Sequence, residues 1–186
     1  MKTELLHEDG IVYAAELIRQ GEPVGMPTET VYGLACDAGN PDAVRKVFAA
    51  KGRPADNPLI VHIADLADWA PLVTEIPPLA RKLAERFWPG PLTIILPRSE
   101  RIPSVTAGGL DSVGVRFPAH PVAQALIKAS GVPIAAPSGN RSGSPSPTTS
   151  AHMLADMDGR IPAILEGGSC LLFPVASQGL HMALTL

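Results

Sequence analysis

Cysteine and aromatic side chains are scarce in this chain. Two cysteines, Cys36 and Cys170, stand in 186 residues. That is too few for a disulfide framework, and they lack the spacing of a metal-ligand pair. Aromatic residues make up 4% of the chain, which leaves little for the stacking platforms that hold single-stranded nucleic acid. No excess of positive charge exists either. The formal net charge is −3, against the basic balance of a general nucleic-acid surface. No apolar run approaches the ~20 residues of a membrane span. The N-terminal stretch, with Glu4, Glu8 and Asp9, has no signal-peptide core. A reduced, cytoplasmic setting without membrane attachment is the expectation.

Familiar catalytic motifs are missing as well. There is no G-x-x-x-x-G-K-[ST] loop, no G-x-G-x-x-G after a strand and no H-E-x-x-H. G-x-S-x-G and S-x-x-K are also absent. The ordinary nucleotide-binding, zinc-protease and serine-hydrolase readings lose their support with them.

What is plentiful is apolar residues, at 46%, together with 20 prolines and 17 glycines. The length suits one domain with a sizeable core. Prolines and glycines fall mainly at the borders of periodic segments, where they shape turns. Asp9 is placed to cap a helix carrying Ile11, Ala14, Ala15 and Ile18, which Gly21 ends. Val24–Met26 and Val31–Ala35 read as strands. Asn40-Pro41-Asp42 opens a helix with an N-cap residue, a proline and an acid, and Gly52 stops it. Pro58–Ile63 reads as a strand and Asp65–Trp69 as a short helix. Pro78–Phe87 is a helix with Leu79, Leu83 and Phe87 four apart. Strands over Leu92–Leu96 and Val113–Phe117 follow, then a helix over Pro121–Ser130 and a strand over Ile134–Ala136. Pro137–Pro147 is a loop, Thr149–Met157 a helix and Ala163–Leu165 the last strand. Interleaved helices and strands imply a single α/β domain.

Four polar clusters remain: Thr28-Glu29-Thr30, the run from Lys51 to His62, Ser112 with Arg116, and Ser138-Gly139-Asn140 with Ser142, Ser144 and Ser146. Each has a plain structural reading. Lys51 and Arg53 suit the C-terminal end of a helix dipole. His62 suits a satisfied structural histidine, and Arg116 the solvated second face of a strand. Ser138 and Asn140 suit a turn, and the two threonines a local hydroxyl turn. The other reading is chemical. Two cations beside a helix end can hold phosphate oxygens, and strand ends of α/β chains are where such folds bind ligands.

Three stretches, Pro27-Thr-Glu-Thr-Val-Tyr-Gly33, Lys51-Gly-Arg53-Pro-x-x-Asn57-Pro-Leu59 and Ala136-Pro-Ser138-Gly-Asn140-x-Ser-Gly143, resemble the YrdC-like family, the threonylcarbamoyl-AMP synthases. Trp88-Pro-Gly-Pro91 and Arg116-Phe-Pro-x-His120-Pro121 fit too. The second stretch looks most like the N-terminal domain of the family's two-domain form. The resemblance implies a single twisted mixed-sheet α/β domain of YrdC-like type with a deep, positively charged cavity. It implies a nucleotidyltransferase that makes threonylcarbamoyl-AMP and pyrophosphate from L-threonine, bicarbonate or CO2, and ATP, for the t6A modification of tRNA. By motif position, Lys51, Arg53, Asn57, Ser112, Ser138, Asn140 and Ser146 would hold ATP, with Lys51 and Arg53 carrying the catalytic charge. Thr30, His62 and Arg116 would hold threonine. Mg2+ would come with ATP, and no metal site of the protein's own is implied. The t6A transfer machinery and double-stranded RNA or tRNA are implied partners. An RNA-binding module and a catalytically silent relative are the alternatives.

The resemblance runs from about the first helix to Gly168, and a YrdC-like catalytic domain is expected over residues 1–168. From Ser169 to Leu186 the chain has no Asp, Glu, Lys or Arg. It lacks the family's Glu-Ser-Thr segment and the arginine beyond it. We therefore expect an atypical tail over 169–186, cut short, out of frame or divergent near Cys170.

Overall fold

The computed structural model describes residues 2–54, 57–170 and 183–185. The expected tail signals fall largely on 171–182, outside the described residues. The described strands form one mixed sheet in the order β1-β8-β2-β3-β7-β4-β6-β5-β9. They are β1 (Glu4–Leu6), β2 (Val24–Met26), β3 (Gly33–Asp37), β4 (Ile60–His62), β5 (Thr93–Pro97), β6 (Ser112–Arg116), β7 (Ile134–Ala135), β8 (Ala163–Leu165) and β9 (Ala183–Thr185). The helices are α1 (Ile11–Arg19), α2 (Pro41–Lys51), α3 (Pro78–Phe87), α4 (Pro121–Ser130) and α5 (Ser150–Met157).

Alternation divides the central strands between two cores. Leu34, Cys36, Val61, Val113, Val115 and Ala135 pack with Val44, Val47 and Phe48 of α2, Ala80 and Ala84 of α3, and Met153 and Met157 of α5. Ala35, Ile134 and Ala136 pack on the opposite side with Ala14 and Ile18 of α1 and Ala123 and Leu126 of α4. That second cover stops short of the β4–β6–β5 region. There Ile60, Ser112, Gly114 and Ile95 are only half-buried, so one face of the sheet stays open.

Local chemistry accounts for the borders. The Asn40 side chain accepts from the backbone N–H groups of Asp42 and Ala43, with Pro41 in the first turn of α2. Gly52 ends α2 in the left-handed region, at φ 64°. Gly131 ends α4 in the same way, and Thr149 caps α5 through His152 N.

Several sequence expectations need correction. Asp9 caps nothing: it sits in a 3-10 turn, Glu8–Gly10, and Gly10 precedes α1. The Val31–Ala35 strand runs instead over Gly33–Asp37, because Thr28 holds residues 28–31 in a hydroxyl turn. Asp65–Trp69 reduces to a 3-10 turn at Leu66–Asp68 capped by Asp65. In α3, Leu79 and Phe87 are exposed and the small residues Ala80 and Ala84 face the core. Of the expected stripe, Leu83 packs against the core while Leu79 and Phe87 do not. Ala163–Leu165 is not the last strand, since β9 runs parallel to β5 at the sheet edge. The edge strand β1 had no sequence signal of its own and is placed by pairing with β8.

Replacing Asn40 by Ala should cost about 1 kcal/mol in urea unfolding. Asp9→Ala should stay within about 0.5 kcal/mol.

Candidate functional site

β4 and β6 run parallel in register, which sets His62 beside Arg116. Both are turned away from Val61 and Val115, onto the open face. β7 runs antiparallel to β4, and its continuation brings Ser138 opposite Gly33 in an isolated bridge. The result is a narrow cleft of about 40 Å³ lined by Thr28, Val31, Gly33, Ile60, His62, Arg116, Ala136, Pro137 and Ser138. Beyond Ile60 the open face continues into a cavity of about 250 Å³. Pro58, Leu59, Thr93, Ile95, Leu110, Ser112 and Gly114 complete its lining. One face of β4 and β6 thus carries a polar end and a largely apolar end.

Arg116 is not solvated: it is 2% exposed. Its NH2 group donates to Glu29 Oε1 at 2.6 Å and to Thr30 Oγ1 at 3.2 Å. The Thr28 hydroxyl donates to Val31 O at 2.6 Å. In the Thr28–Thr30 contact of 3.1 Å the Thr30 hydroxyl therefore donates, and its oxygen takes the arginine N–H. His62 is buried, with Nδ1 3.1 Å from Ile60 O.

Lys51 joins the site to its second wall. It is the last residue of α2 and 3% exposed. Its ammonium donates to Asn140 O at 2.6 Å and also, at shorter range, to Ser138 O. Ser142 N returns a bond to Lys51 O at 3.0 Å. A helix-end cation that only served the dipole would point into water; this one fastens the 138–142 loop. Asn140 stiffens the loop further by donating to Arg141 O and Ser144 O. Its buried Oδ1 has no partner among the described residues. The loop needs glycine between its two polar residues. A Cβ on Gly139 would lie 2.8 Å from Met153 Sδ and 3.2 Å from Tyr32 O. Burial first, and the Arg53 charge second, bring the Lys51 pKa down to about 8, with Asp156 acting the other way.

This arrangement can be set against known proteins. The family model described as telomere recombination, that of Sua5, YciO and YrdC, matches residues 16–178. The chain belongs to this family. It is 54% identical over 165 residues to the threonylcarbamoyl-AMP synthase of Pyrococcus abyssi, covering 89% of this chain and 48% of that protein. It is 56% identical over 160 residues to the synthase of Bacillus subtilis, covering 85% of this chain and 46% of that one. The chain thus spans about half the length of these curated relatives. The crystal structure of P. abyssi Sua5 complexed with L-threonine superposes with a TM-score of 0.87 at 51% identity, over 91% of this chain and 51% of that one. The family match runs past Gly168, the border drawn from the motifs.

Of the residues named from the family motifs, Thr30, His62, Arg116 and Ser138 come together at the polar end, and Ser112 lines the apolar end. Lys51 and Asn140 stand behind Ser138. Arg53 is half-buried, held by its N–H to Phe48 O at 3.1 Å. Asn57 and Ser146 are exposed and line neither of the two cavities. The Asn57–Pro58 backbone is set by Gly108, where a Cβ would come within 2.6 Å of Pro58 N.

Two contributors escaped sequence reasoning. Glu29 has no role in the motif reading, although a carboxylate between two threonines in the first motif is a visible signal. Tyr32 ties the rim: its hydroxyl donates to Gly168 O at 2.7 Å and accepts from Gly167 N at 3.1 Å. Burial raises its pKa. Cys170, beside Thr28 and Glu29, has its thiol pushed up to about 11, mainly by burial, which leaves it a poor nucleophile.

Lys51→Met removes the donor from two loop carbonyls and should cost about 1–3 kcal/mol in chemical unfolding. The pH dependence has a fixed sign. Between about pH 8 and 10.5 the unfolded chain keeps the Lys51 proton and the native protein releases it. Wild-type stability should therefore rise with pH relative to Lys51→Met across that window, by at most about 1.4 kcal/mol per pH unit.

Proposed function

We propose that this chain is an L-threonylcarbamoyladenylate synthase. It joins L-threonine, bicarbonate or CO2, and ATP into threonylcarbamoyl-AMP and releases pyrophosphate, for t6A modification of tRNA. The observation that carries this reading is the Lys51 ammonium held against Ser138 and Asn140. It fastens Ser138 and Asn140 of the third motif to the second motif, and Ser138 lines a cleft with His62 and Arg116, the arginine that Thr30 bonds. The names of the P. abyssi and B. subtilis relatives and the threonine bound in P. abyssi Sua5 support it.

The chemistry divides along the groove. Arg116 takes the threonine carboxylate, and Thr30 and His62 orient the rest of the amino acid. The apolar end by Ser112 takes the adenosine part. Lys51 and Arg53 take triphosphate oxygens, with Ser138, Asn140, Asn57 and Ser146 completing the cradle. The threonine amine gains a carboxyl group from bicarbonate or CO2. An oxygen of that carbamate then attacks the α-phosphorus, and the bond to pyrophosphate breaks. The nucleophile belongs to the substrate, so the protein's part is positioning and charge neutralisation. Placing two cations where pyrophosphate leaves fits that part, as a nucleotidyltransferase requires.

Mg2+ enters as part of the ATP substrate. Among the described residues no group of three His, Cys, Asp or Glu side chains is arranged to hold a metal. Glu29, the carboxylate at the cleft, is already taken by Arg116 and Ala119 N. A small cation with phosphate and water ligands needs no further protein cage. Among the described residues no helix is long and apolar enough to cross a membrane.

Purified protein should release pyrophosphate only when ATP, threonine and bicarbonate are all present. Lys51→Ala and Arg53→Ala should each lower the rate about a hundredfold, the loss of ~3 kcal/mol of transition-state stabilisation, with the circular-dichroism spectrum kept. Release that ignores threonine, or rates unmoved in both variants, contradicts the reading.

A further inference from the structure

Glu29 is a carboxylate that the reaction does not consume, held inside the protein at 6% exposure. A buried charge of this kind is retained at a cost unless it is paired and hydrogen-bonded on each oxygen. Both conditions are met. Oε1 accepts from Arg116 NH2 at 2.6 Å, and Oε2 accepts from the backbone N–H of Ala119 at 3.2 Å. The two bonds tie the Thr28–Thr30 turn to β6 and to the segment that leaves it toward α4.

The consequence falls on the arginine. A guanidinium has five N–H groups in a rigid plane, so fixing one nitrogen fixes the direction of the others. NH2 is committed to Glu29 and Thr30. Nε is buried and has no hydrogen-bond partner among the described residues. Arg116 therefore reaches the cleft with its orientation already set and a desolvated N–H unspent. An arginine without Glu29 would have to be ordered by its ligand, which lowers affinity.

We propose that Glu29 is the positioning residue of the threonine subsite: it holds the Arg116 guanidinium in the attitude that receives a carboxylate, and so sets affinity for the amino acid and not for ATP. This rests on the threonine reading above. Glutamine cannot replace it fully, because a carboxamide has a single acceptor oxygen for the two donors that Glu29 serves.

The test has two arms. In ligand-free protein, nitrogen NMR of the Arg116 guanidinium, assigned by its loss in Arg116→Lys, should show two resolved Nη signals from hindered rotation. In Glu29→Ala they should merge. In the turnover arm, Glu29→Ala should raise the threonine KM at least tenfold and Glu29→Gln at least threefold. kcat and the ATP KM should stay within about twofold. Glu29→Gln carries both arms should Glu29→Ala not fold. Resolved Nη signals that persist without Glu29 overturn the proposal. So does a threonine KM that does not move, or one that rises together with the ATP KM as a general structural defect would cause. A wild-type protein with a hindered Arg116 that binds no threonine overturns the reading of the substrate and leaves Glu29 as the residue that orients Arg116.

Discussion

The buried ammonium of Lys51 is the contact on which the site depends. A lysine at a helix C-terminus ordinarily reaches into water, where its charge is well solvated. Here α2 ends with Lys51 inside the protein, and two backbone carbonyls from a loop 87 and 89 residues further along take the place of solvent. Three consequences follow from that one exchange. The Ser138–Asn140 loop is pinned across the sheet. The helix end carrying Arg53 is pinned to the loop in turn. A charge whose proton is held less firmly than usual is kept where polyphosphate would lie. Backbone N–H bonds from Gly139 to Tyr32 O and from Arg141 to the Asp156 carboxylate support the same loop, and Lys51 adds the charged tie.

The sheet supplies the second half of the site through register. His62 and Arg116 are adjacent because β4 and β6 are parallel and in step. A one-residue slip would carry both side chains to the helix-packed face and Val61 and Val115 into the cleft. The apolar partners on that face, Val61, Val113 and Val115, are nearly or fully buried and hold the register. Core packing on one side thus positions polar chemistry on the other. The incomplete cover from α1 and α4 leaves room for a ligand over Ile60, Ser112 and Gly114.

Much of this was legible in the chain, and the parts that were not share a cause. Helices with strong local signals match the structure closely: α2 opens at Asn40 and Pro41 and stops at Gly52, and α4 runs over Pro121–Ser130. Elements whose existence depends on distant pairing were missed or shifted. β1 exists because β8 lies beside it, and β9 because β5 does. The Val31–Ala35 strand moved two residues because Thr28 spends its hydroxyl on a turn, a competition that strand alternation does not register. In α3 the size of Leu79 and Phe87 misled, since the close approach of the helix favours Ala80 and Ala84. At the site, alternation put Arg116 on the face opposite Val115, which is where it lies. It said nothing of burial, because the buried partner Glu29 comes from a turn 87 residues earlier. Lys51 was legible as a cation near a helix end and illegible as an internal one, for the same reason.

The central claim is that Ser138, backed by Lys51 and Asn140, and His62 with Arg116, backed by Thr30, face one groove in which ATP and threonine meet. A crystal structure with a non-hydrolysable ATP analogue and L-threonine tests it most directly. The account predicts phosphate oxygens within hydrogen-bond distance of Lys51 and Arg53, and the threonine carboxylate on Arg116, with the adenosine over Ser112 and Gly114. Ligands found instead in the cavity of about 420 Å³ that His62 shares with Asp65, Arg101 and Lys128, away from Arg116 and Ser138, would contradict it.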